Sequence, residues 1–549
     1  MATKRGKKAG HRLRGDVASE GLAFGPTFAL RDAAKMPKAV SSTPNKEKRA
    51  LKRAIREARA EIEQLIEQSP GHDGENVLAV QLAILGDKKL IEPALARVAD
   101  GAPAWAAWNQ TVATGERRSP AGGPKGYVGE YAAARDSDTR DLRARVSRIL
   151  AGEGAEIVPY GAIVIADDIA PSTYLETDWS LSGGIALFGG SPTSHISMLA
   201  RAQGVPMLVG LDRAETTDGT PALLDAERGE LILNASADEL RKFKTRSIRA
   251  SEKTGRDAMY LPGPALTPNG TRIRVGLNMV SSIELDHVDP THCDGIGLVR
   301  TEYLFQRGRG LPNEKTQFAV YEQIVEWAAA RPVTFRTLDA GGDKPITGLS
   351  PENEANPFLG VRGIRLALRS PTVLRMQFRA ILRAAALGPV RIMLPMVSVP
   401  EEITAAREIL DKARDDLSRR KVRYGEADLG MMVEVPAAAI AIDEFDCDFY
   451  SIGTNDLIQY TMAVSRDARS LEALTKPDAT PLRRLIEAVI RHGRETGREV
   501  SLCGDMGGDP RHIGMLLDMG LTNLSVSPAA LARTKATIAL HEGGEDQKI

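Results

Sequence analysis

Cysteine is scarce in this chain, with only Cys293, Cys447 and Cys503 among 549 residues. Three cysteines are too few for a disulfide framework, and their wide separation along the chain does not match the spacing of a structural zinc site. Such cysteine usage is typical of proteins that work in a reducing compartment. The sequence therefore predicts a cytoplasmic protein without a disulfide scaffold.

The chain also lacks a net charge and long apolar runs. It has 72 basic and 72 acidic side chains, so the balance implies no polyanionic partner for the chain as a whole. No stretch approaches the roughly 18 apolar residues that would predict a membrane-spanning helix. No apolar run follows the basic N-terminal residues, as a signal peptide would require. We expect neither a membrane nor a nucleic-acid partner.

One segment, residues 1–14, is strongly basic. Its charged residues are Lys4, Arg5, Lys7, Lys8, Arg12 and Arg14. It could be an arm that binds nucleic acid or a solvated, disordered tail, and we expect the disordered tail.

The first half of the chain changes its pattern twice. Residues 15–36 begin with glycine-rich, short apolar runs that predict a strand with turns. A helical pattern follows over residues 37–151, where Leu51, Ile55, Ile62 and Leu65 recur on one face. After Gly154, short apolar runs predict strands at 161–166, 183–188 and 206–210, with a helix over 195–203. Residues 15–36 and 152–236 are thus predicted to form one α/β domain with an inserted all-helical domain, and residues 237–260 a linker helix.

The second half alternates short apolar runs with helical stretches. The candidate strands are 274–278, 295–300, 333–339, 391–396, 431–435, 449–455, 500–505 and 523–527. Eight strands separated mostly by helices predict a (β/α)8 TIM-type barrel over residues 261–540.

Polar residues lie at or just beyond the C-terminal ends of these strands, where such barrels build their active sites. They are Arg300, Arg336, Glu434, Asn455, Asp456 and Cys503. Arginine matches phosphate oxygens, and Glu434 with Asp456 offers the hard oxygen ligands that Mg²⁺ takes. Arg466 lies further along and could hold the other end of a substrate. The pattern predicts an anionic, phosphorylated substrate and a divalent cation; the alternative is a set of ion pairs that cap the barrel mouth.

Two further residues carry candidate chemistry. The thiol of Cys503 could exchange a proton with a substrate carbon, although a buried, inert cysteine is the common alternative. His195 lies at the start of a predicted helix that Ser191, Thr193 or Ser194 could cap. A helix N-terminus favours negative charge beside the imidazole, so a phosphorylated histidine would be stabilised there. The alternative is a capping-region histidine without a chemical role.

Seven motifs, read together, resemble the enzyme I family of the bacterial phosphoenolpyruvate-dependent sugar phosphotransferase system. They are TSHISMLAR (193–201), GIGLVRTEYLF (295–305), RTLDAGGDKP (336–345), NPFLGVRGIR (356–365), MMVEVPAAA (431–439), SIGTNDLIQYTMAVSRD (451–467) and LCGDMGGD (502–509). The resemblance extends from about residue 15 to 540. DSDTRDLRARVSRIL (136–150) is similar to the last helix of the family's HPr-binding insertion.

The resemblance implies a role for each candidate residue. His195 would be phosphorylated by phosphoenolpyruvate and would pass the phosphoryl group to the phosphocarrier protein HPr, which docks on the helical insertion. The substrate would be bound by Arg300, Arg336, Asn455, Asp456 and Arg466. Glu434 and Asp456 would bind Mg²⁺, and Cys503 would protonate the enolate to give pyruvate. The family also implies a homodimer formed through the barrel. Because one histidine must reach both the barrel and HPr, we expect the His195 domain to swing about the linker at residues 237–256.

The chain departs from the family pattern in four places. Ser191-Pro192 adds a residue ahead of Thr193, and Tyr174 stands where the family's Pro-Ser-x-Thr segment has threonine. Asp505 stands where glutamate is common, and the basic tail is additional. Four alternatives remain open: a nitrogen-type regulatory paralogue, pyruvate phosphate dikinase, phosphoenolpyruvate synthase and a catalytically inactive scaffold. The dikinase and the synthase both need a large nucleotide-binding domain, for which no glycine-rich loop is evident here.

Overall fold

The computed structural model describes most of the chain. The described residues are 10–30, 43–68, 78, 81–82, 84–117, 129–154, 157–179, 183–192, 194–279, 285, 288–306, 311–341, 346, 349–351, 354–464, 471 and 474–543. They divide into two compact units, the first ending at Ala250 and the second beginning at Ser251.

The first unit is built on a mixed eight-stranded sheet. Its strands are β1 (His11–Arg14), β2 (Asp16–Ser19), β3 (Leu22–Ala29), β4 (Ile163–Ala166), β5 (Gly184–Leu187), β6 (Met207–Val209), β7 (Pro221–Asp225) and β8 (Glu230–Leu233). The sheet order is β1-β8-β7-β3-β4-β5-β6-β2, and β3 to β6 run parallel. The parallel arrangement places the chain that follows β4 and β5 at one edge of the sheet, which is where the candidate nucleophile lies.

Within the described ranges, four long helices lie between β3 and β4 in sequence. They are α1 (Pro44–Gln68), α2 (Lys88–Ala99), α3 (Ala104–Arg117) and α4 (Gly129–Ala151). Leu51, Ile62, Val98 and Trp108 are buried in a core of their own. The recurrence of apolar side chains at helical spacing explains this separate core. The described part of the unit also contains the helices α5 (Pro171–Glu176), α6 (His195–Gln203) and α7 (Ala237–Asp257), the last of which contains the boundary between the units.

The prediction of a disordered tail is wrong for residues 11–14. These residues form β1, which pairs antiparallel with β8 and buries Leu13. Arg12 contacts Glu230 and Glu239 at 3.1 and 3.2 Å, so carboxylates offset the basic charge of the strand. Residues 1–9 lie outside the described part of the chain.

The second unit is a closed barrel. Its strands are β9 (Ala265–Leu266), β10 (Arg272–Met279), β11 (Ile296–Arg300), β12 (Val333–Arg336), β13 (Val390–Leu394), β14 (Ala427–Val433), β15 (Phe449–Ile452), β16 (Glu499–Leu502) and β17 (Asn523–Val526). Strands β10 to β17 pair in parallel in chain order, and β10 pairs with both β11 and β17. This closure confirms the predicted fold class, including the number of barrel strands.

Helices surround the barrel strands. They are α8 (Glu302–Gln306), α9 (Glu314–Ala328), α10 (Ile364–Arg369), α11 (Pro371–Ala384), α12 (Pro400–Arg419), α13 (Pro436–Ile440), α14 (Thr454–Met462), α15 (Thr480–Thr496), α16 (Pro510–Asp518) and α17 (Leu531–Ala539). Among the ranges described above, no helix combines the length and apolar composition needed to cross a membrane.

Several barrel strands end earlier than predicted. Strand β12 ends at Arg336 rather than residue 339, and β15 ends at Ile452 rather than residue 455. The chain leaves the sheet at these points, and after β15 it enters α14. Arg300 and Arg336 are therefore the last residues of their strands, and the other described strand-end residues of the motifs stand on loops and helix starts just beyond the strands.

Candidate active site

The ends of neighbouring barrel strands bring the predicted residues to one mouth of the barrel. Arg300 and Arg336 are the last residues of β11 and β12 and face each other in register. Glu434 follows β14, and Cys503 follows β16. Asn455 and Asp456 lie in the first turn of α14, directly after β15. Arg466 lies outside the described residues.

Arg336 is a buried arginine held by two buried carboxylates. Its guanidinium lies 2.7 Å from Glu302 Oε1 and 3.2 Å from Asp339 Oδ2. Burial alone would lower the pKa of Arg336, but Glu302 and Asp339 together raise it well above its usual value. The side chain is therefore a fixed, permanent cation at the end of β12.

Arg362 is a buried charged residue of this candidate site that the strand-end pattern missed. It is 2% exposed, and its guanidinium contacts Asp339 Oδ2 at 3.0 Å and Asp456 Oδ1 at 3.1 Å. It also donates a hydrogen bond to the hydroxyl of Tyr460 at 3.2 Å. Arg362 precedes α10 instead of ending a strand, so its one signal in the sequence was its place within the motif NPFLGVRGIR.

Glu434 is buried among charges of both signs. Its Oε1 accepts a hydrogen bond of 2.7 Å from the backbone N–H of Met396, whose φ of 60° lies in the left-handed region. Burial raises the pKa of Glu434 to about 8; Asp456 and Asp339 add to this effect, and the two buried arginines oppose it. A cation bound beside Glu434 would stabilise the charged form of this residue.

These two carboxylates fit the donor set of a magnesium ion. Mg²⁺ commonly takes one or two carboxylates and completes its shell with water and substrate phosphate oxygens. Among the described residues, no group of three or more His, Cys, Asp or Glu side chains is placed to hold a metal ion. An ion held by Glu434 and Asp456 would take its remaining ligands from water and the substrate.

Asn455 is fixed by Asp505, one of the residues that departs from the family pattern. The Asn455 amide donates to Asp505 Oδ2 at 2.9 Å, and the backbone N–H of Asp505 donates to Asn455 Oδ1 at 3.1 Å. This reciprocal pair ties the start of α14 to the loop after β16. Asp505, whose side chain is shorter than the glutamate common in the family, thus contacts Asn455 directly and lies two residues after Cys503.

Cys503 has a buried thiol that packs in a cluster of apolar side chains. It is 2% exposed and packs with Leu298, Met393, Met432 and Phe449. Burial raises the pKa of the Cys503 thiol to about 11, so it is protonated near neutral pH. A protonated thiol at the barrel mouth can act as an acid.

In the first unit, His195 is the first residue of α6. The side-chain oxygen of Ser194 accepts a hydrogen bond from Ser197 N at 3.2 Å, so Ser194 is the N-cap, one of the three residues predicted for that place. Thr193 lies outside the described residues. The N-terminus of a helix is a favourable place for negative charge, which a phosphoryl group would bring.

Side chains of α6 hold the Ser191-Pro192 insertion. Ser197 Oγ donates to the carbonyl of Ser191 at 2.8 Å, and Arg201 donates to that of Pro192 at 3.0 Å. Tyr174, another of the four departures, donates its hydroxyl hydrogen to Gln203 Oε1 at 2.9 Å, at the opposite end of the helix. The turn before His195 is thus fastened to the helix that follows it.

Three family descriptions match successive parts of the sequence. Residues 14–117 match "PEP-utilising enzyme, N-terminal", and residues 158–229 match "PEP-utilising enzyme, mobile domain". Residues 256–542 match "PEP-utilising enzyme, PEP-binding domain". The third match covers the closed barrel and includes every strand-end residue named above.

Curated relatives are similar over nearly the whole chain. A phosphoenolpyruvate-protein phosphotransferase from Bacillus sp. (strain S) is 32% identical over 540 residues, which are 96% of this chain and 92% of the relative. The protein of the same name from Bacillus subtilis (strain 168) is 30% identical over 96% of this chain and 94% of its own. Multiphosphoryl transfer protein 1 from Escherichia coli (strain K12) is 33% identical over 74% of this chain and 50% of its own.

Proposed function

Since the chain belongs to the PEP-utilising enzymes and, within them, to the phosphoenolpyruvate-protein phosphotransferases, we propose a phosphoryl relay through its two units. The phosphoryl group passes from phosphoenolpyruvate to the imidazole of His195 and then to the phosphocarrier protein HPr, with release of pyruvate. This is the enzyme I reaction that the motifs predicted, the first step of sugar uptake by the phosphotransferase system.

One observation carries this proposal: fixed cations, two neighbouring carboxylates and a protonated thiol lie together at the ends of adjacent barrel strands. Arg300 and Arg336 suit the phosphate of the substrate, since guanidinium groups bind phosphate oxygens in pairs. Asn455 and Arg466 complete the proposed substrate contacts. Arg362 holds Asp339 and Asp456 in place and neutralises part of their charge.

We assign Glu434 and Asp456 as the residues that hold Mg²⁺, with Asp456 also next to the substrate. When bound, Mg²⁺ supplies positive charge to the phosphoryl and enolate oxygens. The protein's own cations act in the same direction, because a transferring phosphoryl group needs positioning and charge stabilisation more than covalent chemistry.

His195 and Cys503 take the two covalent steps. A neutral imidazole nitrogen of His195 forms the N–P bond as the bond between phosphorus and the enol oxygen breaks. The Cys503 thiol then gives its proton to the terminal carbon of the enolate, which becomes the methyl group of pyruvate. Protonation at carbon removes the enolate and so draws the transfer toward phosphorylated His195.

We further propose that HPr docks on the helical block of residues 37–151 and that two copies of the chain associate through the barrel. The separate apolar core of the four helices supports the first assignment, because it lets the block form a binding surface of its own. The relatives are named as enzymes that transfer a phosphoryl group to a protein, and this name supports a protein such as HPr as the acceptor.

The proposed relay is tested with phosphoenolpyruvate carrying labelled phosphate, in the presence of Mg²⁺. The unsubstituted protein is expected to acquire one acid-labile label and pass it to purified HPr. His195→Ala should acquire none, whereas Cys503→Ala should bind phosphoenolpyruvate and form pyruvate poorly. Label that persists in His195→Ala would refute the assignment of the nucleophile.

A further inference from the structure

A glutamine is buried among the apolar side chains of helix α11. Gln377 is 1% exposed, and its neighbours on the helix, Leu374, Phe378 and Ile381, are buried as well. Burying an amide costs free energy unless its donors and its acceptor find partners. Gln377 therefore depends on a specific polar environment in an otherwise apolar part of the barrel unit.

Both donors and the acceptor of the Gln377 amide have buried partners. Its Nε2 donates to the hydroxyl of Thr301 at 3.0 Å and to that of Tyr321 at 3.2 Å. Its Oε1 accepts a hydrogen bond of 3.0 Å from the backbone N–H of Leu338. Because an amide nitrogen carries two hydrogens, both are used, and the two hydroxyl oxygens act as acceptors. Each hydroxyl can then donate its own hydrogen elsewhere.

The two hydroxyls donate in different directions. Thr301 Oγ1 donates to the carbonyl of Arg336, the last residue of β12, at 2.9 Å. Tyr321 donates to Oε1 of Gln317, also on α9, at 3.3 Å. The network around Gln377 therefore has an inner arm through Thr301 to the barrel mouth and an outer arm through Tyr321 to the surrounding helix.

The inner arm fixes the backbone on both sides of Thr337. Thr301 binds the carbonyl of Arg336, which belongs to the peptide group before Thr337. Gln377 binds the N–H of Leu338, which belongs to the peptide group after Thr337. Since both bonds lie in the buried interior, water does not compete for these backbone groups. The end of β12 is thus held by a helix that lies outside the barrel strands.

The guanidinium of Arg336 has separate supports. Glu302 contacts it at 2.7 Å and Asp339 at 3.2 Å. Asp339 lies three residues after Arg336 in the same segment, so this ion pair by itself does not fix the segment to the rest of the barrel. Glu302 directly follows Thr301. Two adjacent residues after β11 therefore hold the two ends of Arg336: Glu302 its guanidinium and Thr301 its backbone.

We propose that Gln377 and Thr301 are positioning residues for Arg336, which fix its backbone so that the guanidinium meets the phosphate of the substrate. This inference rests on the proposed function, in which Arg336 binds that phosphate. A misplacement of about 1 Å can cost about 100-fold in rate, because phosphoryl transfer depends on position. Loss of the inner arm should therefore weaken phosphate binding although no group that contacts the substrate is removed.

The test compares two ligands in the full chain carrying His195→Ala, which lacks the proposed phosphoryl acceptor and so leaves phosphoenolpyruvate intact. Calorimetry in the presence of Mg²⁺ gives the dissociation constants of phosphoenolpyruvate and oxalate. Oxalate resembles the enolate of pyruvate but has no phosphate, so its binding does not report the phosphate contact of Arg336. We expect Gln377→Met, which keeps the chain length without the polar groups, to weaken phosphoenolpyruvate binding about 10-fold and to leave oxalate binding unchanged.

Tyr321→Phe is the matched control. It removes a buried hydroxyl that binds the same glutamine but belongs to the outer arm. The aromatic ring remains to pack against Phe335, with 4.6 Å between the ring centroids. This variant should have a lower melting temperature but bind both ligands normally. If it weakens phosphoenolpyruvate binding as much as Gln377→Met does, the effect follows from any lost buried hydrogen bond, and the positioning role is overturned.

Thr301 offers an independent pair of variants, which serves also if Gln377→Met does not fold. Thr301→Val keeps the side-chain shape without the hydroxyl and should weaken phosphoenolpyruvate binding selectively, whereas Thr301→Ser keeps the hydroxyl and should restore it. Unchanged phosphoenolpyruvate binding in Thr301→Val, or an equal loss for both ligands, would overturn the inference. Absence of phosphoenolpyruvate binding in the chain with His195→Ala alone would instead refute the proposed function.

Discussion

Two buried arginines, one in each unit, make similar contacts in different settings. In the barrel, Arg362 bridges Asp339 and Asp456. In the first unit, Arg145 of α4 bridges Glu61 of α1 at 2.6 Å and Glu176 of α5 at 2.5 Å. Both guanidinium groups are almost inaccessible, with side-chain exposures of 3% and 5%.

Their carboxylate partners differ. The side chains of Asp339 and Asp456 are 4% and 8% exposed, whereas those of Glu61 and Glu176 are 36% and 30% exposed. Water can stabilise the glutamates around Arg145 but not the aspartates around Arg362. A buried arginine therefore does not by itself mark an active site. Carboxylates that are themselves shielded from water depend on the arginine, and here one of them is a proposed ligand of Mg²⁺.

The largest difference is expected from Arg362→Ala. The change leaves Asp339 and Asp456 buried without their cation, so the free energy of unfolding should fall by about 3–5 kcal/mol. His195 phosphorylation should slow by about 10²–10³-fold, the usual effect of removing one preorganised charge donor. Denaturant unfolding and single-turnover labelling measure the two effects. Arg362→Lys keeps the charge but not the paired donors, so both of its effects should lie between those of the unsubstituted protein and Arg362→Ala. Near-normal labelling in Arg362→Ala would contradict the role of this residue.

Arg145→Ala should have a smaller effect that is confined to stability. Loss of its contacts to Glu61 and Glu176 should reduce the free energy of unfolding by about 1–3 kcal/mol, since water replaces part of the interaction. Pyruvate formation in the barrel should be unchanged per folded molecule. Arg145→Gln, which keeps a polar donor on a shorter side chain but not the charge, serves as the matched variant. A loss of pyruvate formation as large as that of Arg362→Ala would remove the distinction between the two arginines.

A third difference is expected in the pH dependence of stability without Mg²⁺. Glu434 has a folded-state pKa of about 8, above its ordinary value near 4.5, so the folded state retains its proton longer than the unfolded chain. Stability from this group is fully present below the unfolded pKa and is lost as pH rises through about 8. The melting temperature should therefore fall as the pH rises from about 4.5 to about 8, and Mg²⁺ should reverse this fall. Glu434→Gln should abolish both responses; a Mg²⁺ effect that survives in this variant would place the ion elsewhere.

Much of the barrel could be predicted because its strands are buried on both faces and read as continuous apolar runs. The same runs overstate strand length, since the residues after Arg336 and Ile452 remain buried although they leave the sheet. Arg300 and Arg336 could be found because the fold places catalytic groups at strand ends. The position of Arg362 depends on a loop that folds back to Asp339 and Asp456, a contact between residues distant in sequence.

The basic strand β1 shows the same limit in the first unit. Arg12 and Arg14 suggest a solvated segment when only their neighbours in sequence are considered. Their partner Glu230 lies in β8, which is distant from β1 in sequence but pairs with it in the sheet. Local patterns thus predicted elements well, whereas charge neutralisation between distant segments required the three-dimensional structure.

The pairing of β10 with β17 has a consequence for biosynthesis. A ribosome completes Arg300 and Arg336 early in the second unit but makes Cys503 and β17 only near its end. Until β17 emerges, β10 and the last completed strand present unpaired edges, which are prone to association with other chains. The nascent protein therefore holds the two arginines proposed to bind phosphate before it holds the thiol proposed to protonate the enolate, and its barrel can close only when synthesis of the unit is almost complete.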